Sequence, residues 1–324
     1  MTAQHPPAPT AFGVAEAMSK LAEILPPTPL LPVEIMGQTV WCKAECLQPI
    51  GAFKIRGAWH RLTALKRAER EAGVVGVSSG NHAQGVAWAA KRLGIRATIV
   101  MPVDAPAIKL DATRALGAEV VLYDRPGGED RDAVAARLCA ASGATLVHAF
   151  ADPWVIEGQG TIGLELAAQM AGRCDGPPTR IVAPCGGGGL TAGLSLACPD
   201  AEIVPVEPEG WDDVRRSLAA GEIVAVASDA PATACDALQT PSTRPINFAV
   251  LKGRVRFGLV VTPAEVRAAQ RFAFERLHLV VEPGGAAALA AALAGKVALD
   301  GRTAIVLSGG NTDAQAFAKA ILGP

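Results

Sequence analysis

Lys54 is the residue in this sequence that most needs a chemical reason. It stands in GAFKIRGA (51–58), beside Phe53, among small and apolar neighbours and with no carboxylate in the stretch. Burial disfavours an ammonium charge, so a lysine placed this way favours its amine, a nucleophile that can form a Schiff base. Three other stretches carry polar atoms at strand ends or helix starts, where α/β folds place their sites. CGGGGLTAG (185–193) holds four consecutive glycines, Gly186, Gly187, Gly188 and Gly189. Their bare N–H groups, near the positive end of a helix, form an anion site suited to one phosphate. The stretch lacks the G-K-[S/T] of a nucleotide loop, and no acidic residue ends a following strand to take a ribose.

SSGNHAQG (78–85) brings Ser78, Ser79, Asn81 and His82 to a second strand-to-helix turn. Such a turn can hold a carboxylate. A plain helix N-cap by Ser79 or Asn81 is the other reading, and His82 taken alone reads as a structural histidine. LSGGNTD (307–313), with Ser308, is ordinary turn chemistry when read by itself. Together, a nucleophilic lysine, a phosphate cup and a carboxylate loop meet the needs of a pyridoxal phosphate enzyme acting on an amino acid. A non-catalytic protein that binds a phosphorylated ligand is the competing class.

The elements that must position these stretches alternate. VVGVSS (74–79), RATIVMP (96–102), AEVVLYD (118–124) and TLVHAF (145–150) read as short buried strands. Helices at 82–94, 106–117 and 129–142 separate them, and the pattern resumes with a helix at 156–170 and strands at 180–185, 201–208, 255–261 and 303–311. Thr262, Pro263 and Glu265 form a capping box that opens a helix at 262–277. Alternating strands and helices of this kind make parallel sheets covered on both faces. The fold class is α/β, two open parallel-sheet lobes with the site in the cleft. The large domain is expected at 1–46 and 152–324, and the small one at 47–151.

Composition narrows the function further. A net charge of −1 over 324 residues points away from nucleic acid and from anionic membrane surfaces. No apolar run approaches the roughly 20 residues of a membrane span. The seven scattered cysteines read as buried, reduced thiols of a cytoplasmic protein. MTAQHPPAPT has no basic region followed by an apolar run, and is expected to be a disordered tail rather than a signal peptide.

The four stretches, in their order, resemble the fold-type II pyridoxal phosphate enzymes of the threonine/serine dehydratase and serine racemase group. The likeness runs from TPLLPV (28–33) to SGGN (308–311). The family's lysine motif S-F-K-x-R-G-A appears as AFKIRGA, its S-S-G-N-H-x-Q stands intact at 78–84, and its G-G-G-G-L at 186–190. The resemblance implies the tryptophan synthase β-like architecture, a homodimer, and pyridoxal 5′-phosphate carried on Lys54. It implies Phe53 beside the cofactor ring, Asn81 on the ring hydroxyl, Gly186–Gly189 on the phosphate, Ser308 at the ring nitrogen and Glu282 nearby. Ser78, Ser79, Asn81 and His82 would take the substrate carboxylate. Arg131 aligns with an arginine near that carboxylate; a surface charge in GGEDRDA is the other reading.

The implied reaction is β-elimination from a β-hydroxy amino acid, L-threonine or L-serine by default, giving a 2-oxo acid and ammonia. Lys54 would act as the base. Ser79 falls where the racemases keep a proton donor on the opposite ring face, so serine racemisation is an alternative. Dehydration of 3-hydroxyaspartate is another, with Arg131 or Arg244 on the second carboxylate. A Mg2+ or Ca2+ site is implied at Glu207, the Trp211 carbonyl and Asp213, hard oxygen ligands in VEPEGWDD. TACDALQT (233–240) departs from the family, with Ala237 in place of a glycine and Cys235 before Asp236. That departure bears on substrate choice more than on reaction type. The chain stops soon after SGGNTD, which implies an enzyme without an added regulatory region.

Overall fold

The computed structural model describes residues 7–105 and 107–323. The expected tail lies outside the described residues as far as residue 6, as does the expected helix start at residue 106. The chain is helical as soon as Thr10, whose hydroxyl accepts the Gly13 N–H at 2.9 Å and caps α1 (Ala11–Ala22). No helix was expected there from the residue pattern. β1 (Leu30–Ile35) and β2 (Gln38–Ala44) follow as an antiparallel hairpin. Its turn residues Met36 and Gly37 have φ of 51° and 73°, the two-residue geometry that matches strand twist.

α2 (Lys54–Thr63) and α3 (Arg67–Ala72) lead into β3 (Val74–Val77), α4 (Asn81–Leu93), β4 (Ala97–Pro102), α5 (Ala107–Ala115), β5 (Glu119–Tyr123), α6 (Arg131–Ser142) and β6 (Thr145–Val147). These strands form a four-stranded parallel sheet in the order β5-β4-β3-β6. α7 (Pro153–Ala171) then opens on Asp152, whose carboxylate accepts the Val155 N–H at 3.1 Å. The expected start at 156 is thus three residues late. Beyond it come β7 (Arg180–Pro184), α8 (Gly189–Ala197), β8 (Glu202–Pro208), α9 (Asp213–Ala220), α10 (Pro245–Lys252), β9 (Leu259–Val261), α11 (Pro263–Leu277), α12 (Pro283–Leu293), β10 (Thr303–Leu307) and α13 (Ala314–Leu322).

The second sheet runs β1-β2-β10-β7-β8-β9, and every described pairing except β1–β2 is parallel. The strand expected at 255–261 shrinks to three residues, because β9 pairs only with Val206–Pro208 at the sheet edge. The capping box of α11 is present, with Thr262 and Glu265 each accepting the other's N–H. Five of the seven cysteines are buried and all are free.

α7 joins the two halves by backbone contact. Gly158 faces Gly57 of α2, where a Cβ would lie 2.6 Å from the Gly57 Cα. Two residues on, Gly160 faces Gly193 of α8, where a Cβ would lie 2.6 Å from the Gly193 carbonyl. Beside these contacts Arg56, fully buried, donates to both Glu45 oxygens at 2.8 Å and to Glu165 at 2.7 Å. Lys43 completes the cluster on Glu165 at 2.6 Å. Gly158→Ala should therefore lower stability by about 1–3 kcal/mol, as overpacking does in a rigid core. Gly172→Ala, which meets nothing within 4 Å, should leave the melting temperature unchanged in the same thermal scan.

Candidate active site

The strand ends of the two sheets open on one cavity of about 460 Å³. The expected residues Phe53, Lys54, Ser78, Ser79, Asn81, His82, Arg131, Gly186–Gly189, Glu282 and Ser308 all line it. Segments more than a hundred residues apart meet there because each follows a strand end or opens a helix.

Lys54 begins α2. Its segment is pinned by the Phe53 N–H, which donates to the Ser308 carbonyl at 3.1 Å, and by a bridge between Ala52 and Gly309. The amine donates to the Ala149 carbonyl at 2.8 Å and lies 5.1 Å from the Phe53 ring centre. No carboxylate pairs with it among the described residues. Burial alone pulls its pKa from 10.5 down to about 8.

The glycine loop faces it. Gly188 has φ of 87°, a conformation that only glycine adopts without strain, and the turn delivers the free N–H groups of the α8 start into the cavity. A side chain at Gly187 would collide with the Phe150 ring. The Gly187 carbonyl is held from behind by the Thr243 hydroxyl at 3.1 Å. This cup of N–H donors without side chains fits a phosphate.

SSGNH supplies the third wall. Ser78 Oγ accepts the Gly80 N–H at 3.2 Å, and α4 starts at Asn81 with its first N–H groups free. Asn81 donates to Glu282 at 2.6 Å and accepts from Asn311 at 2.8 Å. Burial, with Asp236 nearby, pushes Glu282 up to about 7. The His82 Nε2–H donates to the Val147 carbonyl at 2.9 Å, leaving Nδ1 buried without a partner. Burial, then Lys54, pulls its pKa to about 3, so the ring is neutral. The side chain therefore brings no charge to a carboxylate; the α4 N–H groups remain for that task. Arg131, at the first position of α6, is half exposed, and its nearest acid is Asp132 at 3.8 Å.

Glu207, Trp211 and Asp213 do not line the cavity, and Thr243 links Asp213 to the back of the glycine loop. Glu207 accepts the Val214 and Arg215 N–H groups at 2.9 and 2.7 Å, capping α9. Asp213 accepts the Thr243 N–H at 2.6 Å, and its other oxygen is buried without a partner. Burial, then the Asp213 charge, raises Glu207 well above the usual carboxylate range. A buried oxygen lacking a donor, beside a second acid, fits a hard cation. Among the described residues no group of three or more ligating side chains forms, so backbone and water would complete such a shell.

Sequence reasoning missed the role of the end of β6 and the residues after it, read there only as strand. Its carbonyls serve three partners in turn: Val147 takes His82, Ala149 takes Lys54, and Phe150 accepts from Asn247 at 2.9 Å. Also missed were Lys109, Arg125 and Asp104 on the cavity wall, beside the altered segment Asp236–Thr240. Lys109 is paired with Asp236 and Arg125 with Asp104. No motif marked these residues: Asp104 and Arg125 follow β4 and β5, and Lys109 lies within α5.

A lysine kept near its amine form, opposite a phosphate cup across a strand-end cleft, suits an enzyme that works through a phosphorylated aldehyde cofactor. Comparison with known proteins bears directly on this. The family described as "Pyridoxal-phosphate dependent enzyme" matches residues 21–309, and the chain belongs to it. It is 42% identical over 292 residues to an L-threo-3-hydroxyaspartate ammonia-lyase of Pseudomonas sp, covering 89% of each chain. It is 38% identical over 319 residues to the serine racemase of Schizosaccharomyces pombe, covering 96% of each. The crystal structure of the T.th. threonine deaminase superposes with a TM-score of 0.86 at 43% identity, over 94% of this chain and 99% of that one.

The Lys54 environment sets a pH dependence. Uptake of pyridoxal phosphate by the apoenzyme, followed by absorbance, should speed up with pH through a midpoint near 8 and flatten about one unit above it, as the amine form fills. A midpoint above pH ~10, near the ordinary lysine value, would show the lysine to be charged and the burial argument wrong.

Proposed function

We propose that the chain is an ammonia-lyase that converts a β-hydroxy amino acid to a 2-oxo acid and ammonia, with L-threonine and L-serine as first substrates. The observation that carries this reading is the Lys54 amine, without a carboxylate partner, facing the glycine cup across one cavity. Lys54 and the N–H groups of Gly186–Gly189 hold pyridoxal phosphate, with Phe53, Asn81, Glu282 and Ser308 around its ring. When bound, the cofactor supplies an electron sink that acidifies the substrate's α-proton. Lys54, with its pKa lowered to about 8, is suited to take that proton. The hydroxyls of Ser78 and Ser79 and the first N–H groups of α4 receive the substrate carboxylate. Ser79 on the cavity wall also supports racemisation as a side activity.

Arg131 favours a second substrate, 3-hydroxyaspartate. Of the cavity cations Lys109, Arg125 and Arg131, it has the loosest acid contact, and a relative's name carries that activity. The division into a large domain (1–46 and 152–324) and a small one (47–151) belongs to this reading and is supported by the two separate sheets. A cytoplasmic homodimer belongs to it on family grounds. No described helix is long and apolar enough to cross a membrane.

Incubation with L-serine, L-threonine and 3-hydroxyaspartate, with oxo acid and D-isomer both assayed, tests the reading; no oxo acid from any of the three would overturn it. Arg131→Gln should cut kcat/KM for 3-hydroxyaspartate by roughly 10- to 100-fold, the worth of a charge-assisted bond, while L-serine changes little.

A divalent cation at Glu207 and Asp213 is also part of the proposal. Asp213, Thr243 and Gly187 form a hydrogen-bonded chain from that pair to the phosphate cup. Mg2+ added after exhaustive chelation should raise the melting temperature of the parent and not of Asp213→Asn. An unchanged parent would remove the site.

A further inference from the structure

We infer that His148 is a substrate-contacting residue, its Nε2–H donating a hydrogen bond to the oxygen on the substrate's side chain. It follows β6 and lines the cavity. Its Nδ1 accepts the N–H groups of Phe150 at 3.3 Å and Ala151 at 2.9 Å. Two backbone donors on one ring nitrogen oblige the proton of a neutral imidazole to sit on Nε2. The ring is further fixed edge-on to Phe150, with centres 4.6 Å apart. Nε2 has no protein partner among the described residues, in contrast to His82, whose Nε2–H is spent on Val147.

The position places that donor at the side-chain end of the cavity. The next residue, Ala149, receives the Lys54 amine, so His148 stands beside the group that reaches the α-carbon. Arg131, Asp132 and Phe150 line the wall around it. Burial, then the Arg244 charge, lowers the His148 pKa to about 4, so the ring stays neutral and offers a hydrogen bond rather than a proton. A neutral imidazole donor can stabilise charge that gathers on an oxygen without passing its proton across. The inference rests on the elimination reading, in which a hydroxyl leaves from the β-carbon.

Two near-isosteres separate the jobs of the ring. His148→Asn keeps an acceptor where Nδ1 sits and removes the Nε2 donor; His148→Gln keeps a donor near Nε2. On L-serine or L-threonine, His148→Asn should lose roughly tenfold or more in kcat/KM, and His148→Gln less. On 3-chloro-L-alanine, whose leaving group is a poor acceptor, both should stay within about twofold of the parent. Equal losses on both substrates in His148→Asn, or no loss on either, would overturn the assignment. A parent that turns over neither substrate instead overturns the elimination reading. His148 is then read from cofactor absorbance during titration with L-serine and L-alanine: weakened L-serine binding alone supports it, and any other result sinks it.

Discussion

The buried cluster of Arg56, Glu45, Glu165 and Lys43 is the interaction on which the site depends. Arg56 and Lys54 are two residues apart at the start of one helix, yet they are treated in opposite ways. A guanidinium stays charged at any accessible pH, so burying Arg56 requires acids on every side. Glu45 immediately follows β2 and Glu165 comes from α7, so the pairing fixes α2 against both. Lysine can shed its proton, and Lys54 has a carbonyl for company and no acid. Removing one partner of Arg56 would strand a buried charge and loosen the helix that aims Lys54.

The cavity divides by charge. Its floor is held near neutral: Lys54 is drawn toward its amine form, and His82 and His148 are uncharged. Formal charges collect on the cavity wall, as the pairs Lys109–Asp236 and Arg125–Asp104 and as Arg131. A buried, weakly charged floor strengthens whatever field a bound phosphate or carboxylate brings. The rim can vary in sign without disturbing the lysine.

The parts of the site legible in the sequence are those written as local backbone needs. Four glycines, a Ser-Ser-Gly-Asn turn and a lysine without an acid each announce a conformation or an ionisation state. The Thr262 capping box is equally plain. Other features are hidden for physical reasons. The hairpin turn carries Met36 where asparagine or glycine would have signalled it. α1 is announced by little beyond Thr10. Residues 147–150 act mainly through their carbonyls, which every residue possesses, so no side-chain pattern could reveal them. The run 255–258 looks like strand because apolar content alone cannot tell whether a partner strand continues beside it.

The glycines of α7 have a cost and a consequence for how the chain folds. Gly158, Gly160 and Gly163 each weaken an isolated helix by about 1 kcal/mol relative to alanine, so α7 is a poor helix by itself. Its regular form must come from the neighbours that press on it: α2 at Gly158 and α8 at Gly160 and Gly163. Those neighbours serve different sheets. Neither half can then complete its core before the other arrives, and the two sheets melt together as one cooperative unit.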